Sequence, residues 1–490
     1  MKKLAYSILI LSILVLTSCE DFLDDPQPAQ SLSSATAFTT AKDIQTGLIG
    51  AYNAMQQSDM FGTNTTMVPD IMADNGEWRG SFPSYVDVSN IQVDANNPEV
   101  GGMWQQGFRA INHANLVLKA LTTVEDPALT TDLANRLKGE ALFIRGATYF
   151  EMVRFFGKPF GASSANDSGL PILTEPVENA SDITFPTRES VQAVYNRAIA
   201  DLEEAAGLLP QTNDRGKATS FAAMGYLAEI AFQQQDYNKA ANLAGNVING
   251  PFSLTSEPAG FFVNEGSDEE IWVIIHTTQD NPGVNGSLAT FHHVNGRGGD
   301  VVVAPDLITN GYNKIVTPTQ QAAINAAGYI VEDLRFTTLT SAGNNVRNIE
   351  KYEDFTNNSD DAPIQRLAEF MLMRAEALAR VNGVNQTSID LLNAVRTRAL
   401  RVKDATGAVV PNSNSFVSFT TGDFASADAL IEAIILERRV ELTFEGNRYH
   451  DLIRLGRTVK GFAPDANELR WPVPQRELDA NANLVQNPGY

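Results

Sequence analysis

Apolar residues recur every three or four positions through most of this chain, the spacing that gathers them on one face of an α-helix. In residues 35–57 the stripe is Ile44, Leu48, Ala51, Tyr52 and Met55. Residues 104–121, 135–156 and 190–209 behave in the same way, the last after a Pro- and Asn-rich loop. No charged heptad seam is sustained, so a long coiled coil is disfavoured. The pattern predicts a mainly α protein.

Residues 221–250 read as a repeat unit. Leu227, Ala228, Ala231, Tyr237, Ala240, Ala244 and Val247 fall at the offsets of a tetratricopeptide helix pair. Alanines at 228 and 240 would let two antiparallel helices approach closely, with Tyr237 filling the groove near their turn. A more degenerate pair follows at 364–381 and 387–401; the plainer reading of both is a generic αα-hairpin. Between them, residues 251–350 are rich in Gly, Asn, Thr and Val. This region holds a predicted strand at 270–276 (EIWVIIH) and an apolar run at 301–304. Residues 58–103 read as a second loop-rich segment. Long irregular insertions on a helical scaffold are where binding residues concentrate.

Composition narrows the function. The chain has 490 residues, 43% hydrophobic and 19% charged, which excludes a disordered polar chain and a polytopic membrane protein. With 36 basic and 58 acidic residues the net charge is -22, which opposes nucleic-acid binding and electrostatic attachment to anionic membranes. The single cysteine, Cys19, excludes internal disulfides and cysteine-based metal sites. Lys2 and Lys3 precede an uncharged, mostly apolar run at 4–16, too short to span a bilayer and suited to a signal-peptide core. The run ends in Leu16-Thr17-Ser18-Cys19, which reads as a bacterial lipobox; the alternative is a secretory peptide with an incidental cysteine. On the lipobox reading, residues 1–18 are removed and Cys19 carries acyl chains, three of which anchor almost permanently. Residues 19–34, acidic and then Pro/Gln/Ser-rich, become a lipidated tether.

Six separated segments carry a family resemblance. They are WQQGFRAINHANLVL (104–118), EALFIRGATYFEMVRFFG (140–157), RLAEFMLMRAEALARVNG (366–383), LLNAVRTRA (391–399), ILERRVELTFEGNRYHDLIRLG (435–456) and RWPVPQRELDANANLVQNPGY (470–490). In this order they resemble the SusD/RagB family of outer-membrane lipoproteins. The resemblance implies a SusD-like fold of tetratricopeptide-like helix pairs with a loop-rich insertion containing short strands. Its N-terminal helical region would be 35–250 and its C-terminal region 251–490, packed as one globule. It further implies a lipoprotein of the outer membrane facing the cell exterior. Such a protein captures a glycan for a SusC-like TonB-dependent transporter, with no catalytic residues and no cofactor. Glu20, Asp21, Asp24 and Asp25 look like the surface-export signal of such lipoproteins. RFFGKPF (154–160) is looser than the family's usual turn.

A neutral sugar offers C–H faces that stack on aromatic rings and hydroxyls that bond polar side chains. Asp74-Asn75-Gly76-Glu77-Trp78-Arg79, followed by Phe82 and Tyr85, matches that chemistry, and comparable N-terminal aromatics line the glycan site in relatives. Trp78, assisted by Tyr85, Arg79, Asn75 and Phe82, is the expected wall; the alternative is that Trp78 caps the core. A second candidate wall is 291–297 (FHHVNGR) with Tyr312 beyond, in which His292 would face the ligand. Adjacent histidines diverge, so a shared metal is not expected. Trp104, Trp272 and Trp471 read as core. Charges alternating from Glu437 to Asp451 read as helix-face pairs or a buried network, and neighbours on one helix face do not form a hydrolytic carboxylate pair. No H-E-x-x-H, Gly-x-Ser-x-Gly or Walker motif occurs. A surface glycoside hydrolase and a peptide-binding or adaptor lid without a glycan ligand remain the alternatives.

Overall fold

The computed structural model describes residues 37–161, 164–263, 266–343 and 345–490. Cys19, the lipobox and the tether therefore lie outside the described residues. The N-terminal half starts with α1 (Ala41–Gln56), α2 (Asn64–Met72), β1 (Gly76–Trp78) and α3 (Pro83–Ser89). Five longer helices follow: α4 (Pro98–Thr123), α5 (Thr131–Phe156), α6 (Val191–Leu208), α7 (Ser220–Gln233) and α8 (Tyr237–Ile248). The insertion contributes β2 (Glu270–Ile274), α9 (Leu288–His292), β3 (Val301–Val303), β4 (Ile330–Asp333), β5 (Thr340–Ala342), β6 (Arg347–Ile349) and β7 (Ala362–Arg366). Then come α10 (Leu367–Asn382), α11 (Gln386–Ala399), β8 (Leu400–Lys403), α12 (Ala427–Glu441) and α13 (Arg448–Arg454).

Side-chain chemistry sets many of the boundaries. Thr40 and Asp43 form a capping box on α1, and Thr130, Ser190, Thr219, Asp236, Asn385 and Ser426 cap later helices through their side-chain oxygens. Gly383, at φ 71°, ends α10 in a conformation other residues adopt at a penalty.

The helices pack as a succession of neighbours: α1 on α4, α4 on α5, α5 on α6, α6 on α7, α7 on α8, and α8 on α10, which also meets α11 and α12. This is the expected scaffold of tetratricopeptide-like pairs. Ala228 and Ala240 are both fully buried where α7 meets α8. Replacing Ala228 by leucine is expected to destabilise the chain by about 1–3 kcal/mol through overpacking; urea unfolding measures it, and no change would mean the helices stand further apart.

The second pair is shorter at its start than its pattern suggested. Residues 364–366 belong to β7, which pairs antiparallel with β2 and feeds directly into α10. Residues 58–103 depart further from expectation, because α2 and α3 replace the anticipated loop. All nine residues of α2 are buried, polar ones included, so it has no exposed face and no amphipathic stripe to read. Among the described residues the strands form four separate antiparallel pairs, β1–β3, β2–β7, β4–β8 and β5–β6.

Trp272 sits among the rings of Phe61, Phe143 and Tyr226, and Trp471 among those of Phe155 and Phe156, both in the core as expected. Among the described residues no helix is long and apolar enough to cross a membrane. Every described element and core cluster draws on residues from Ala37 onward, so a chain starting at Glu20 carries the whole described fold.

Candidate functional site

The pairing of β1 with β3 brings the two expected walls together. Gly76, Glu77 and Trp78 lie opposite Val303, Val302 and Val301, and the Arg79 amide continues the ladder by donating to the Asp300 carbonyl at 2.6 Å. Trp78 then meets Tyr85 at 4.7 Å and Phe291 at 5.7 Å between ring centroids. Phe82 closes the cluster against Phe291 at 6.3 Å, and the Arg297 guanidinium lies over the Phe82 ring at 4.2 Å. Arg297 is held there by Asp300 and by Asn285, each at 2.7 Å. A Cβ on Gly80 would stand 2.6 Å from both the Asp300 carboxyl and the Trp78 ring, so only glycine permits this approach.

The seven residues expected at the site separate into three groups. Trp78 and Phe82 are half-buried and Arg79 is exposed, so these three reach the surface. Tyr85 lies behind them, 5% exposed, donating its hydroxyl to Asn64 at 2.8 Å. Asn75, His292 and Tyr312 are interior, which corrects their expected placement at the ligand. Asn75 accepts from Arg439 at 3.0 Å and donates to Asp70 at 2.8 Å, so both ends of its amide brace the segment ahead of Trp78. His292 is fully buried between Tyr352 and Phe444, and burial pushes its imidazole down to about 4, keeping it neutral. Tyr312 packs on Phe336, outside the aromatic cluster. His293 stacks on Phe355 and faces Glu350 at 2.9 Å, diverging from its neighbour as the backbone requires.

The C-terminal charges hold this surface from beneath. Arg448 takes the Asp74 carboxylate at 2.6 and 2.8 Å, and Arg439 reaches the Asp74 carbonyl and Asp306. Burial pushes the Asp74 carboxyl up, but Arg448 and Arg439 outweigh it and hold it below the usual range.

Asp70, one turn upstream, has no cation bonded to it among the described residues, and burial raises it to about 6 despite hydrogen bonds from Asn75 and Gly446. A carboxyl raised in the folded state favours folding below its unfolded value near 4 and loses that contribution as pH rises through about 6. Asp70 is therefore expected to withdraw ~3 kcal/mol between pH 4 and 7. Replacing it by asparagine should flatten this part of the stability–pH curve, and an unaltered curve would assign the slope to other groups.

Trp78 Nε1 is a buried donor with no acceptor among the described residues. Beside the rings stand the polar side chains of Arg297 and Asn285, whereas Glu77 and Arg79 pair with each other at 3.0 Å, on the face of the strand opposite Trp78. Elsewhere a cleft of about 390 Å³ is lined by Arg215, Phe262, Glu270, Tyr352, Asp354 and Asp360. Its Arg215 is already paired with Glu270 at 2.7 Å and Asp361 at 2.5 Å. Among the described residues no cluster of His, Cys, Asp or Glu is placed to hold a metal ion.

What the sequence could not show is the joining of the walls, together with the roles of Asn285, Arg297 and Asp300. The Val301–Val303 run signalled a strand, but nothing local named Gly76–Trp78 as its partner.

Comparison with known proteins agrees with this architecture. Residues 21–232 match a family described as "Starch-binding associating with outer membrane", and residues 344–469 match the SusD family. The chain is 27% identical to SusD-like protein P2 of Formosa agariphila over the full length of both, and 25% identical to SusD-like protein P38 of the same organism, covering all of this chain and 99% of that one. The solved structure of a Bacteroides vulgatus protein assigned to sugar binding superimposes with a TM-score of 0.76 at 25% identity, covering 93% of this chain and 100% of that one. A laminarin-binding SusD-like protein shares the fold at a TM-score of 0.66 and 21% identity, covering 92% of this chain and all of that one. With its helix-pair scaffold, both family matches and full-length relatives in agreement, the chain belongs to the SusD/RagB family of non-catalytic, carbohydrate-binding proteins.

Proposed function

We propose that this chain is a surface lipoprotein, anchored through Cys19, that captures an oligo- or polysaccharide and delivers it to a SusC-like TonB-dependent transporter. The observation that carries the reading is the aromatic surface of Trp78 and Phe82, backed by Tyr85 and Phe291 and edged by Arg297. Partly exposed rings stack on the C–H faces of a sugar, and the Arg297 guanidinium and Asn285 take its hydroxyls. An open platform suits a polymer that extends beyond the contact. The sugar-binding assignment of the Bacteroides vulgatus structure supports the same ligand class. The lipobox and tether would hold the body at the membrane, with residues 1–18 removed, 19–34 as linker, and 35–250 and 251–490 packed as one globule.

Affinity electrophoresis of the 20–490 chain through gels containing neutral and acidic polysaccharides tests the capture step. Retardation by one polymer without released oligosaccharide is expected. Released product would hand the protein to the hydrolase reading. No retardation by any polymer would favour a peptide-binding or adaptor lid.

A further inference from the structure

A hollow of about 270 Å³ opens beside α1, and no member of the aromatic cluster lines it. Ile49, Tyr52, Asn53 and Gln56 recur at helical spacing, so one face of α1 forms its first wall. The 215–217 turn forms the second. A Cβ on Gly216, at φ 75°, would stand 2.8 Å from the Ile275 side chain, so glycine lets this turn close on the segment that leaves β2. That segment is the third wall, and Gln56 ties it to α1 by donating to the Ile275 carbonyl at 3.0 Å.

The polar groups of this hollow are accessible and unspent. Lys217 is partly exposed, its ammonium lies 3.9 Å from the centre of the Tyr52 ring, and it has no hydrogen-bond acceptor or ion-pair partner among the described residues. Asp280 is exposed and its carboxylate is likewise unpaired among them. Only its main-chain groups are engaged, with Gln56 and within the turn shared with Thr277. Asn53 is partly exposed; its side-chain oxygen meets Gln57 at 3.4 Å, and its amide nitrogen has no acceptor among the described residues. Arg215 also lines the hollow, but Glu270 and Asp361 already hold it. Ile49, 60% exposed, and the partly exposed Ile275 supply an apolar flank.

One free cation and one free anion leave the unpaired groups with no net charge, which favours neither an anion nor a cation. A hydroxyl both donates and accepts, so a neutral polyol satisfies ammonium, carboxylate and amide together, while its C–H face rests on the isoleucines. The volume lies near the ~300 Å³ lower end of small-molecule sites. Asn285, which accepts from Arg297 at the edge of the aromatic surface, follows Asp280 closely in sequence, so their Cα atoms stand within ~18 Å of one another.

Building on the capture reading, we propose that this hollow is a second sugar subsite, which binds a further stretch of the polysaccharide held at the aromatic surface. Lys217, Asp280 and Asn53 bond its hydroxyls, and Ile49 and Ile275 meet its C–H face. Two modest contacts on one polymer reinforce each other, because the second forms at the effective concentration set by the first.

Affinity electrophoresis of the 20–490 chain through gels containing laminarin, amylopectin, xylan or arabinan tests the subsite. With a polymer that retards the unaltered chain, Lys217→Met and Asp280→Ala are each expected to weaken retardation about tenfold or more, since hydrogen bonds to charged groups are the stronger kind. Methionine keeps a stem over the Tyr52 ring and alanine keeps the main-chain bonds of residue 280, so the thermal midpoints should hold. Adding Lys217→Met to Trp78→Ala should weaken retardation beyond Trp78→Ala alone. Retardation weakened by Trp78→Ala and unchanged in both new variants would overturn the second subsite while keeping capture at the aromatic surface. No retardation of the unaltered chain by any of these polymers would overturn capture and the subsite together. A thermal midpoint raised by glycylglycine in the unaltered chain, and not in Lys217→Met, would assign the hollow to a zwitterionic peptide and overturn the sugar subsite.

Discussion

Replacing Arg366 by methionine is expected to destabilise the chain by at least ~3–5 kcal/mol at pH 7, the range for orphaning one buried charge partner. The side chain is almost fully buried and spends its guanidinium on Glu445 at 2.6 and 2.8 Å, Glu269 at 2.8 Å, Glu441 at 2.9 Å and the Glu441 carbonyl at 2.8 Å. Glu441 also receives Arg335 and Arg398, and Lys351 shares Glu445. Removing Arg366 leaves three carboxylates to fewer cations in a site where water cannot screen them. Burial pushes the Glu441 carboxyl up, yet Arg398, Arg366 and Arg335 hold it well below the usual range. A depressed carboxyl contributes stability above its unfolded value near 4.5 and loses it as pH falls. The variant forfeits part of that contribution, so its deficit should be widest near neutrality and narrow toward pH 4. Urea unfolding at both pH values reads this directly. Adding Glu441→Gln should recover part of the loss, because the orphaned charge goes with it. A deficit below about 1 kcal/mol would mean that water reaches the network, as in an exposed pair.

That network also marks where the sequence was readable and where it was not. The stripe of Ile44, Leu48, Ala51, Tyr52 and Met55 reports burial through local periodicity, and those residues are buried on one face of α1. The 270–276 run likewise announced β2, because branched and aromatic residues suit a strand in the core. Alternating charges from Glu437 to Asp451 announced ion pairing, but most partners come from distant chain: Arg335, Arg366, Arg396 and Arg398 for the glutamates, and Asp74 for Arg448. Helical spacing records which side chains share a face and says nothing of what that face meets.

The site suffered from the same limit. Asn75 looked free beside Trp78 until Arg439, more than 360 residues away, took its oxygen. His292 sits in a polar run, FHHVNGR, that resembles a surface loop. Tyr352 and Phe444 cover it, and neither is near in sequence. Aromatic residues amid glycine and polar residues marked the right two segments. Pairing of β1 with β3, which turns two segments into one surface, is a long-range event with no local signature.

Replacing Trp78 by alanine is expected to weaken polysaccharide retardation at least tenfold, about 1.4 kcal/mol or more in binding free energy. Trp78 supplies the largest ring of the surface. Its removal also withdraws the support that Tyr85 and Phe291 receive at 4.7 and 5.7 Å, so Phe82 loses part of its backing as well. Trp78→Phe keeps an aromatic face and should retain more affinity than alanine, which ties the loss to stacking. Tyr312→Phe serves as the opposing control, because that ring packs on Phe336 outside the cluster and its hydroxyl is buried, so its loss should leave retardation unchanged. The thermal midpoint of each variant, measured alongside, distinguishes a lost contact from a lost fold. Unchanged retardation in Trp78→Ala would move the ligand off the aromatic surface. The cleft bounded by Phe262, Tyr352 and Asp360 would then be the next place to test, since rings and carboxylates meet there too.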